Sequence, residues 1–189
     1  MEDLINSINR EFPLEEGEIT ILRESLRTIS FSKGGIIIRK GDIDDSIYFI
    51  RKGVWRAHLD REGEELTIWF AIQGEIIFSS WGHIRNQPSR FSITASCDST
   101  VIEMKRDTIE RLSSHSINFN KWLHKLYVDT ILSMDDQLVN ISYFTAEQRY
   151  LAFMKKMPSI FQQVPLKEIA GFIGVTPQSL SRIRANLKE

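Results

Sequence analysis

The chain has 189 residues, and its hydrophobic fraction of 42% is enough to form the core of one large domain or two small ones. Its net charge is −1 at pH 7. No apolar run approaches the roughly 18 residues needed to cross a bilayer, and the acidic start at Glu2 and Asp3 lacks the basic and apolar regions of a secretory signal. The single cysteine, Cys97, can form neither an internal disulfide nor a four-thiolate iron–sulfur site. We therefore expect a cytoplasmic protein with no membrane partner.

The first part of the chain changes from helical to strand-like spacing. Apolar residues between Glu2 and about Ser30 recur at three and four positions, which predicts helical structure on both sides of Pro13. From Phe31 onward, short runs rich in Ile, Tyr, Phe, Val and Trp alternate with glycines, and this pattern predicts a β-sandwich or barrel. The strand candidates are 36–38, 47–50, 54–59, 66–70, 91–96 and 99–104, with a hairpin turn over Asp60-Arg61-Glu62-Gly63.

A long helix is predicted after the strands, from about Ile117 to Ser142. It contains no Gly or Pro and exceeds the usual length of a globular helix, which favours a partner on its free face. One stripe could face the strand domain and another a second copy of the chain, and an entirely intramolecular core helix is the alternative. We assign the dimer seam to the stripe that steps by four and three residues: Leu123, Tyr127, Thr130, Met134, Gln137 and Ile141.

The C-terminal segment carries the basic charge of the chain and a pair of short helices. Residues 1–144 contain 17 Lys and Arg against 22 Asp and Glu, whereas residues 145–189 contain 7 against 3. Gly174 ends one predicted helix, and Thr176 caps a second that has Pro177 at its first position. This arrangement is typical of a DNA-reading helix-turn-helix, and an ordinary helical hairpin is the alternative. The predicted DNA contacts are Thr176, Gln178, Ser179, Ser181, Arg182, Arg184 and Lys188.

The order of these parts, together with two sets of motifs, resembles the Crp/Fnr family of bacterial transcription regulators. The motifs are Gly34, Gly41, Gly53 and Gly74-Glu75 in the strand region and the run Leu-Lys-Glu-Ile-Ala-Gly-Phe-Ile-Gly-Val-Thr-Pro-Gln-Ser-Leu-Ser-Arg over 166–182. The resemblance implies an α+β fold with an N-terminal β-barrel of the double-stranded β-helix or jelly-roll type. It implies three parts: N-terminal helices and effector barrel over 1–116, a dimerisation helix over 117–143, and a helix-turn-helix domain over 144–189.

The resemblance also implies an effector pocket, from which this sequence departs. Cyclic-nucleotide-binding members hold the phosphate with a Gly-Glu and a later Arg-Ser or Arg-Ala pair, so the candidate pocket residues are Gly74, Glu75, Ser89 and Arg90. Ser89 stands where the arginine is expected, and Arg90, one position along a strand, should point to the other face. Because a buried phosphate needs a paired cation, we disfavour a cyclic nucleotide and leave the effector unknown.

The start of the second helix departs from well-known members too. Their Arg-Glu-x-x-x-Arg motif corresponds here to Pro177, Gln178 and Arg182. Arg182 can contact guanine or hold a phosphate and Gln178 can pair with adenine, but Pro177 cannot supply a hydrogen bond to a base. The remaining predicted roles are phosphate contacts or caps for Thr176, Ser179 and Ser181, and phosphate contacts or solvated charges for Arg184 and Lys188.

These features lead to one main hypothesis and one alternative. The main hypothesis is a homodimeric, sequence-specific DNA-binding transcription regulator, with operator DNA and RNA polymerase as implied partners and an effector barrel whose ligand is unknown or lost. The alternative is a small-molecule or cyclic-nucleotide sensor whose C-terminal helices dock on protein rather than DNA. No iron–sulfur cluster, other metal site or enzymatic activity is expected, because the sequence shows no matching motif.

Overall fold

Strands dominate the first part of the chain after two short helices. The computed structural model describes residues 1–61 and 64–187, so residues 62 and 63 of the predicted hairpin turn, and Lys188, lie outside the described residues. The strands are β1 (Arg27–Phe31), β2 (Ile36–Ile38), β3 (Ile47–Lys52), β4 (Val54–Arg61), β5 (Glu64–Ile72), β6 (Ile76–Ile77), β7 (Ser92–Ala95) and β8 (Ser99–Met104).

Helices flank the strands and make up the whole C-terminal part. They are α1 (Glu2–Glu11), α2 (Glu16–Ser25), α3 (Ser80–Arg85), α4 (Arg106–Ser113), α5 (Ile117–Tyr143), α6 (Ala146–Lys156), α7 (Ile160–Gln163), α8 (Leu166–Ile173) and α9 (Pro177–Asn186). The helical spacing predicted to reach Ser30 ends at Ser25, and residues 27–31 pair with β8 instead. The long helix begins and ends within one residue of its predicted bounds.

Two four-stranded antiparallel sheets form a sandwich of the jelly-roll type. The strand orders are β1-β8-β3-β6 in the first sheet and β2-β7-β4-β5 in the second. Alternate side chains of both sheets meet between them, because successive residues of a strand point to opposite faces. Trp55 and Ile93 of the second sheet and Val101 of the first are fully buried in this inner core. The predicted N-terminal barrel is therefore confirmed in fold class.

The outer face of the first sheet is covered by helices near it in sequence. Phe49 and Met104 point outward from this sheet and pack with α1, α2, α4 and the first turns of α5. Phe119 and Trp122 bring α5 into this cluster, and the ring of Trp122 stacks on that of Phe49. The N-terminal end of α5 is thereby fixed to the barrel.

The outer face of the second sheet carries the C-terminal helices. Val54 and Phe70 point outward and join a cluster with residues of α6 to α9. Thr145 begins this segment as the cap of α6, with a reciprocal capping box to Gln148. The C-terminal helices therefore dock on the β4–β5 side of the barrel.

Candidate nucleic-acid interface and effector cleft

The turn between α8 and α9 has the geometry predicted for a helix-turn-helix. Gly174 ends α8 in the left-handed conformation, with φ of 77°, where a side chain would be strained. The amide of Val175 donates to the carbonyl oxygen of Ala170 at 3.0 Å. Thr176 then caps α9 by accepting from the amide of Ser179 at 3.2 Å, and Pro177 occupies the first helical position.

One face of the helix pair is buried against α6. Ile169, Ala170, Ile173 and Leu180 are almost completely buried, and they pack in one cluster with Phe153 of α6. Burying these side chains fixes the crossing of α8 and α9, because each Ile or Leu side chain removed from water contributes about 1.5–3 kcal/mol.

Arg149 of α6 connects the turn to the end of the long helix. Its Nε donates to the carbonyl oxygen of Ile173 at 2.8 Å, and its Nη1 donates to that of Phe144 at 2.6 Å. These carbonyls lie at the C-terminal ends of α8 and α5, where backbone acceptors have no helical partner. Nothing in the local sequence pattern indicated this role for Arg149.

The opposite face of α9 is open to solvent. Gln178, Ser181 and Arg182 are exposed, and Arg184 is half-buried. The hydroxyl of Ser181 donates to the carbonyl oxygen of Pro177 at 3.0 Å, so it is partly used within the helix. Arg182 donates to Ser179 Oγ at 3.3 Å, which holds its guanidinium along the leading edge of α9. The structure thus brings all the described predicted contacts onto one short helix and its cap.

Gly74 and Glu75 build the turn between β5 and β6. Gly74 has φ of 90°, and its amide donates to the carbonyl oxygen of Ile50 at 3.0 Å. The Glu75 carboxylate accepts from the amide of Ile72 at 2.9 Å. The one predicted acidic group of the pocket is therefore already engaged with the backbone.

Ser89 and Arg90 lie apart from that turn. Ser89 is buried, and its hydroxyl donates to the carbonyl oxygen of Phe91 at 2.7 Å. Arg90 precedes β7 instead of lying within a strand, so the predicted alternation of faces does not apply to it. It is exposed, with its guanidinium carbon 3.7 Å from the centre of the Trp81 ring. The four predicted pocket residues are thus not one site.

A cleft of about 710 Å³ separates α5 from the barrel and the C-terminal helices. Gly74 and Glu75 line it, whereas Ser89 and Arg90 do not. Its walls are mainly apolar and aromatic. The rings of Trp69 and Phe91 pack edge to face there, with their centres 6.2 Å apart. The cleft has the size of a small-molecule site.

The stripe predicted as the dimer seam faces this cleft and the barrel. Leu123 is buried beside Trp122, and the Tyr127 hydroxyl lies 2.6 Å from His83 Nε2. These two residues therefore make contacts within the chain where α5 lies on the barrel, and their seam role stays a prediction. Thr130, Met134, Gln137 and Ile141 line the cleft.

A second side of α5 also exposes an apolar face, outside the stripe assigned to the dimer seam. Its large side chains lie within one stretch of the helix and are 37–64% exposed: Val128, Ile131, Leu132, Leu138 and Val139. They recur with heptad-like steps of three, four and seven, as in helices that pair. We refer to these five residues as the outer face of α5.

His83 links three elements that the sequence did not connect. This buried residue of α3 places Nδ1 2.6 Å from the carbonyl oxygen of Asp45 and Nε2 2.6 Å from the hydroxyl of Tyr127. Arg106 of α4 donates to the His83 carbonyl oxygen. Burial lowers the pKa of His83, so its neutral form is favoured.

The described residues contain neither a membrane-spanning helix nor a metal-binding cluster. No helix within residues 1–61 and 64–187 is long and apolar enough to span a lipid bilayer. In the same described residues, no group of three or more His, Cys, Asp and Glu side chains is placed to hold a metal ion.

Known proteins are similar to this chain both in the strand domain and over most of its length. Residues 28–116 match the cyclic nucleotide-binding domain family. The chain is 25% identical over 185 residues to the fumarate and nitrate reduction regulatory protein of Yersinia pestis, covering 91% of this chain and 73% of that protein. The protein of the same name from Escherichia coli K12 is 25% identical over 186 residues, with the same coverage.

Solved structures share the fold at lower identity. FixK2 from Bradyrhizobium japonicum has a TM-score of 0.75 and 19% identity, covering 86% of this chain and 84% of that chain. A Crp/Fnr-family transcriptional regulator from Eubacterium rectale has a TM-score of 0.71 and 16% identity, covering 93% and 84%. Barrel, long helix and C-terminal helices therefore recur together in these structures.

Proposed function

We propose that the chain is a transcription regulator of the Crp/Fnr type that binds a two-fold symmetric operator as a homodimer, with α9 in the major groove. The observation that carries this proposal is the exposed leading face of α9 on a rigidly capped and buried turn. Positioning by the scaffold matters because base readout requires side chains held at fixed register on the duplex.

Residues of α9 would divide between reading and holding the DNA. Arg182 and Gln178 are exposed at successive turns of the helix, where an arginine can contact guanine and a glutamine adenine. Thr176, Ser179 and Ser181 make hydrogen bonds within the helix start, which suits caps and phosphate contacts better than base readout. Arg184 and Lys188 would hold phosphates.

The exposed outer face of α5 supports dimerisation. A single chain would leave these five large apolar side chains in water, and contiguous exposed apolar surface of this kind marks interaction sites. A second copy of α5 would cover them with an identical surface, as two-fold symmetry requires. Two copies of the basic C-terminal segment would then face one duplex.

The barrel would act as the sensor of the molecule, with a ligand other than a cyclic nucleotide. Arg90 stacks on Trp81 outside the cleft, so among the described residues it supplies no cation beside Glu75, and the basic side chains that do line the cleft lie on α5 and α6. With Cys97 as the only cysteine of the sequence, we propose that the protein carries no iron–sulfur cluster.

Two further aspects follow from the proposed activity. A regulator acting on operator DNA in this way would work in the cytoplasm, with RNA polymerase as a further partner. The activity we propose is binding rather than catalysis, in keeping with relatives that are regulatory proteins.

Selection from pooled random duplexes tests DNA recognition. We expect an enriched, two-fold symmetric sequence, and affinity that falls steeply with salt because bound phosphates release counterions. Substituting Arg182→Ala should cost about 1–3 kcal/mol at one base position of each half-site and relax specificity there. Arg39→Ala, which removes an exposed arginine of the barrel, serves as the matched control and should leave the selected sequence unchanged.

The opposite result would favour a different partner. Absence of both an enriched sequence and a salt dependence would contradict DNA binding. The C-terminal helices would then be better explained as a docking surface for another protein.

A further inference from the structure

Arg56 is a buried cation at the junction of the barrel and the C-terminal helices. It lies on the outer face of the second sheet and is only 7% exposed. Its guanidinium contacts two carboxylates on different elements: it hydrogen-bonds Glu65 of β5, and its Nε lies 3.3 Å from Glu168 Oε2 of α8. Ser96, which follows β7, donates to the same Glu168 oxygen at 2.8 Å. Glu168 is therefore held by two groups of the barrel.

The ion pair is sensitive to loss of either partner. Removing a guanidinium from water is costly unless carboxylates and hydrogen bonds replace the water. Arg56 Nη1 already lacks a hydrogen-bond partner within the described part of the chain, so the group has no spare ligand to compensate for a lost carboxylate. Glu65 belongs to the barrel itself, and Glu168 is the counter-ion that α8 supplies.

Apolar contacts seat α8 beside this ion pair. The Phe172 ring of α8 packs 5.4 Å from Phe70 of β5 and 4.7 Å from Phe153 of α6. Gly171 brings the α8 backbone close to β5, where a Cβ would lie 3.4 Å from the Thr67 amide nitrogen. Apolar contacts tolerate small sliding movements, whereas the ion pair and the Ser96 hydrogen bond define one position.

The position of α8 on the barrel also determines the position of α9. The two helices share the buried cluster around Ile169 and Leu180 and are joined by the short capped turn. In a dimer held through α5, each barrel has a fixed place, so seating α8 on the barrel fixes the distance between the two reading helices.

We propose that Glu168 is a positioning residue that sets the half-site spacing of the operator, through its ion pair with Arg56. This inference rests on the proposed function, since it concerns how a dimeric reading head is aimed. Glu168 itself touches no DNA in this arrangement. It acts by holding α8, and through it α9, in one place on the barrel.

Operators of different spacing test the proposal. The selected half-sites are placed at their natural spacing and with one or two base pairs inserted or deleted, and each is bound to wild type and to Glu168→Gln. Wild type should discriminate strongly against altered spacing. In Glu168→Gln the ratio of affinities for the natural and the altered spacing should be about tenfold smaller than in wild type, because a hydrogen-bonded charge is replaced by a neutral amide of the same shape. Glu147→Gln, an exposed position on α6, is the control and should behave as wild type.

A measurement without DNA separates this proposal from the proposed function. Hydrogen exchange of the backbone amides in α8 and β5 should be faster in Glu168→Gln than in wild type. Ser96→Ala, which removes one hydrogen bond to Glu168, should show a smaller effect in the same direction. If exchange and spacing preference are both unchanged in Glu168→Gln, the positioning role is overturned. If wild type binds no DNA while exchange in the variant is faster, the contact is confirmed but the DNA function fails.

Discussion

At the scale of single residues, His83 is held in one protonation state by its neighbours. A backbone carbonyl can only accept, so the ring nitrogen facing the Asp45 oxygen carries the hydrogen, and the other nitrogen accepts from the Tyr127 hydroxyl. Both nitrogens are therefore used by the neutral ring. A second proton would place a charge in a buried site beside Arg106, whose positive charge also lowers the pKa of His83.

This environment predicts how stability changes with pH. In the unfolded chain His83 takes up a proton near pH 6.5, whereas in the folded protein it does so only at lower pH. The unfolded state binds more protons in that interval, so the free energy of unfolding falls as pH drops below 6.5. His83→Gln should flatten this part of the profile in denaturant titrations, and His124→Gln, at an exposed position, should not. An unchanged slope in His83→Gln would count against this account, with His58, whose pKa burial also lowers, as the remaining source.

At the scale of elements, α5 offers two apolar faces with different uses. The face toward the barrel ends in the cleft, and the outer face has no cover in a single chain. Leu132→Asp should therefore shift the protein from dimer to monomer at micromolar concentration, because it places a charge within the proposed interface. Analytical ultracentrifugation checks this directly.

Met134→Asp is the comparison that separates the two faces. Met134 lies on the cleft side of the same helix, so this variant should remain dimeric. Loss of the dimer in Met134→Asp, with Leu132→Asp unaffected, would restore the seam predicted from the sequence. Monomeric wild-type protein would remove the dimer proposal altogether.

The same helix shows where prediction from sequence stops. Its bounds follow from local signals, since the stretch without Gly or Pro is visible in the sequence, and in the structure Ser116 caps its start. Which stripe faces the barrel is not local information, because both stripes repeat at three and four residues. The choice depends on contacts such as that of Tyr127 with His83, 44 positions earlier in the chain.

At the scale of the whole molecule, the cleft predicts a negative result with cyclic nucleotides. Any ligand specific for the folded state raises its stability, by about 2.7 kcal/mol at a hundred times its Kd. Cyclic AMP and cyclic GMP should leave the Tm unchanged in a thermal-shift assay, because Arg90 is stacked on Trp81 instead of facing the cleft. A Tm that rises with nucleotide concentration, but not with adenosine, would show that another cation binds the phosphate.

The arrangement of parts was largely predictable, and their docking was not. Alternating strands, the long helix and the capped helix pair each follow from periodicity and turn residues within a short window. The packing of the C-terminal helices against the barrel depends on Arg56, Ser96 and Glu168. These residues come from three separate regions and share no sequence motif. The Gly74-Glu75 motif was likewise found at its expected turn, but the loop that carries Arg90 takes a path that the sequence pattern does not specify.

Arg149 gives the molecule a mechanical property. Because it binds the last carbonyls of both α5 and α8, the end of the long helix cannot move without pulling on the base of the reading head. The 27 residues of α5 form a lever about 40 Å long, so a tilt of about 5° at the barrel becomes a displacement of about 3.5 Å at its far end. That distance is close to the rise of one base pair, about 3.4 Å. Because Arg56 and Ser96 hold α8 on the barrel, such a tilt would have to break these contacts before it could move α9.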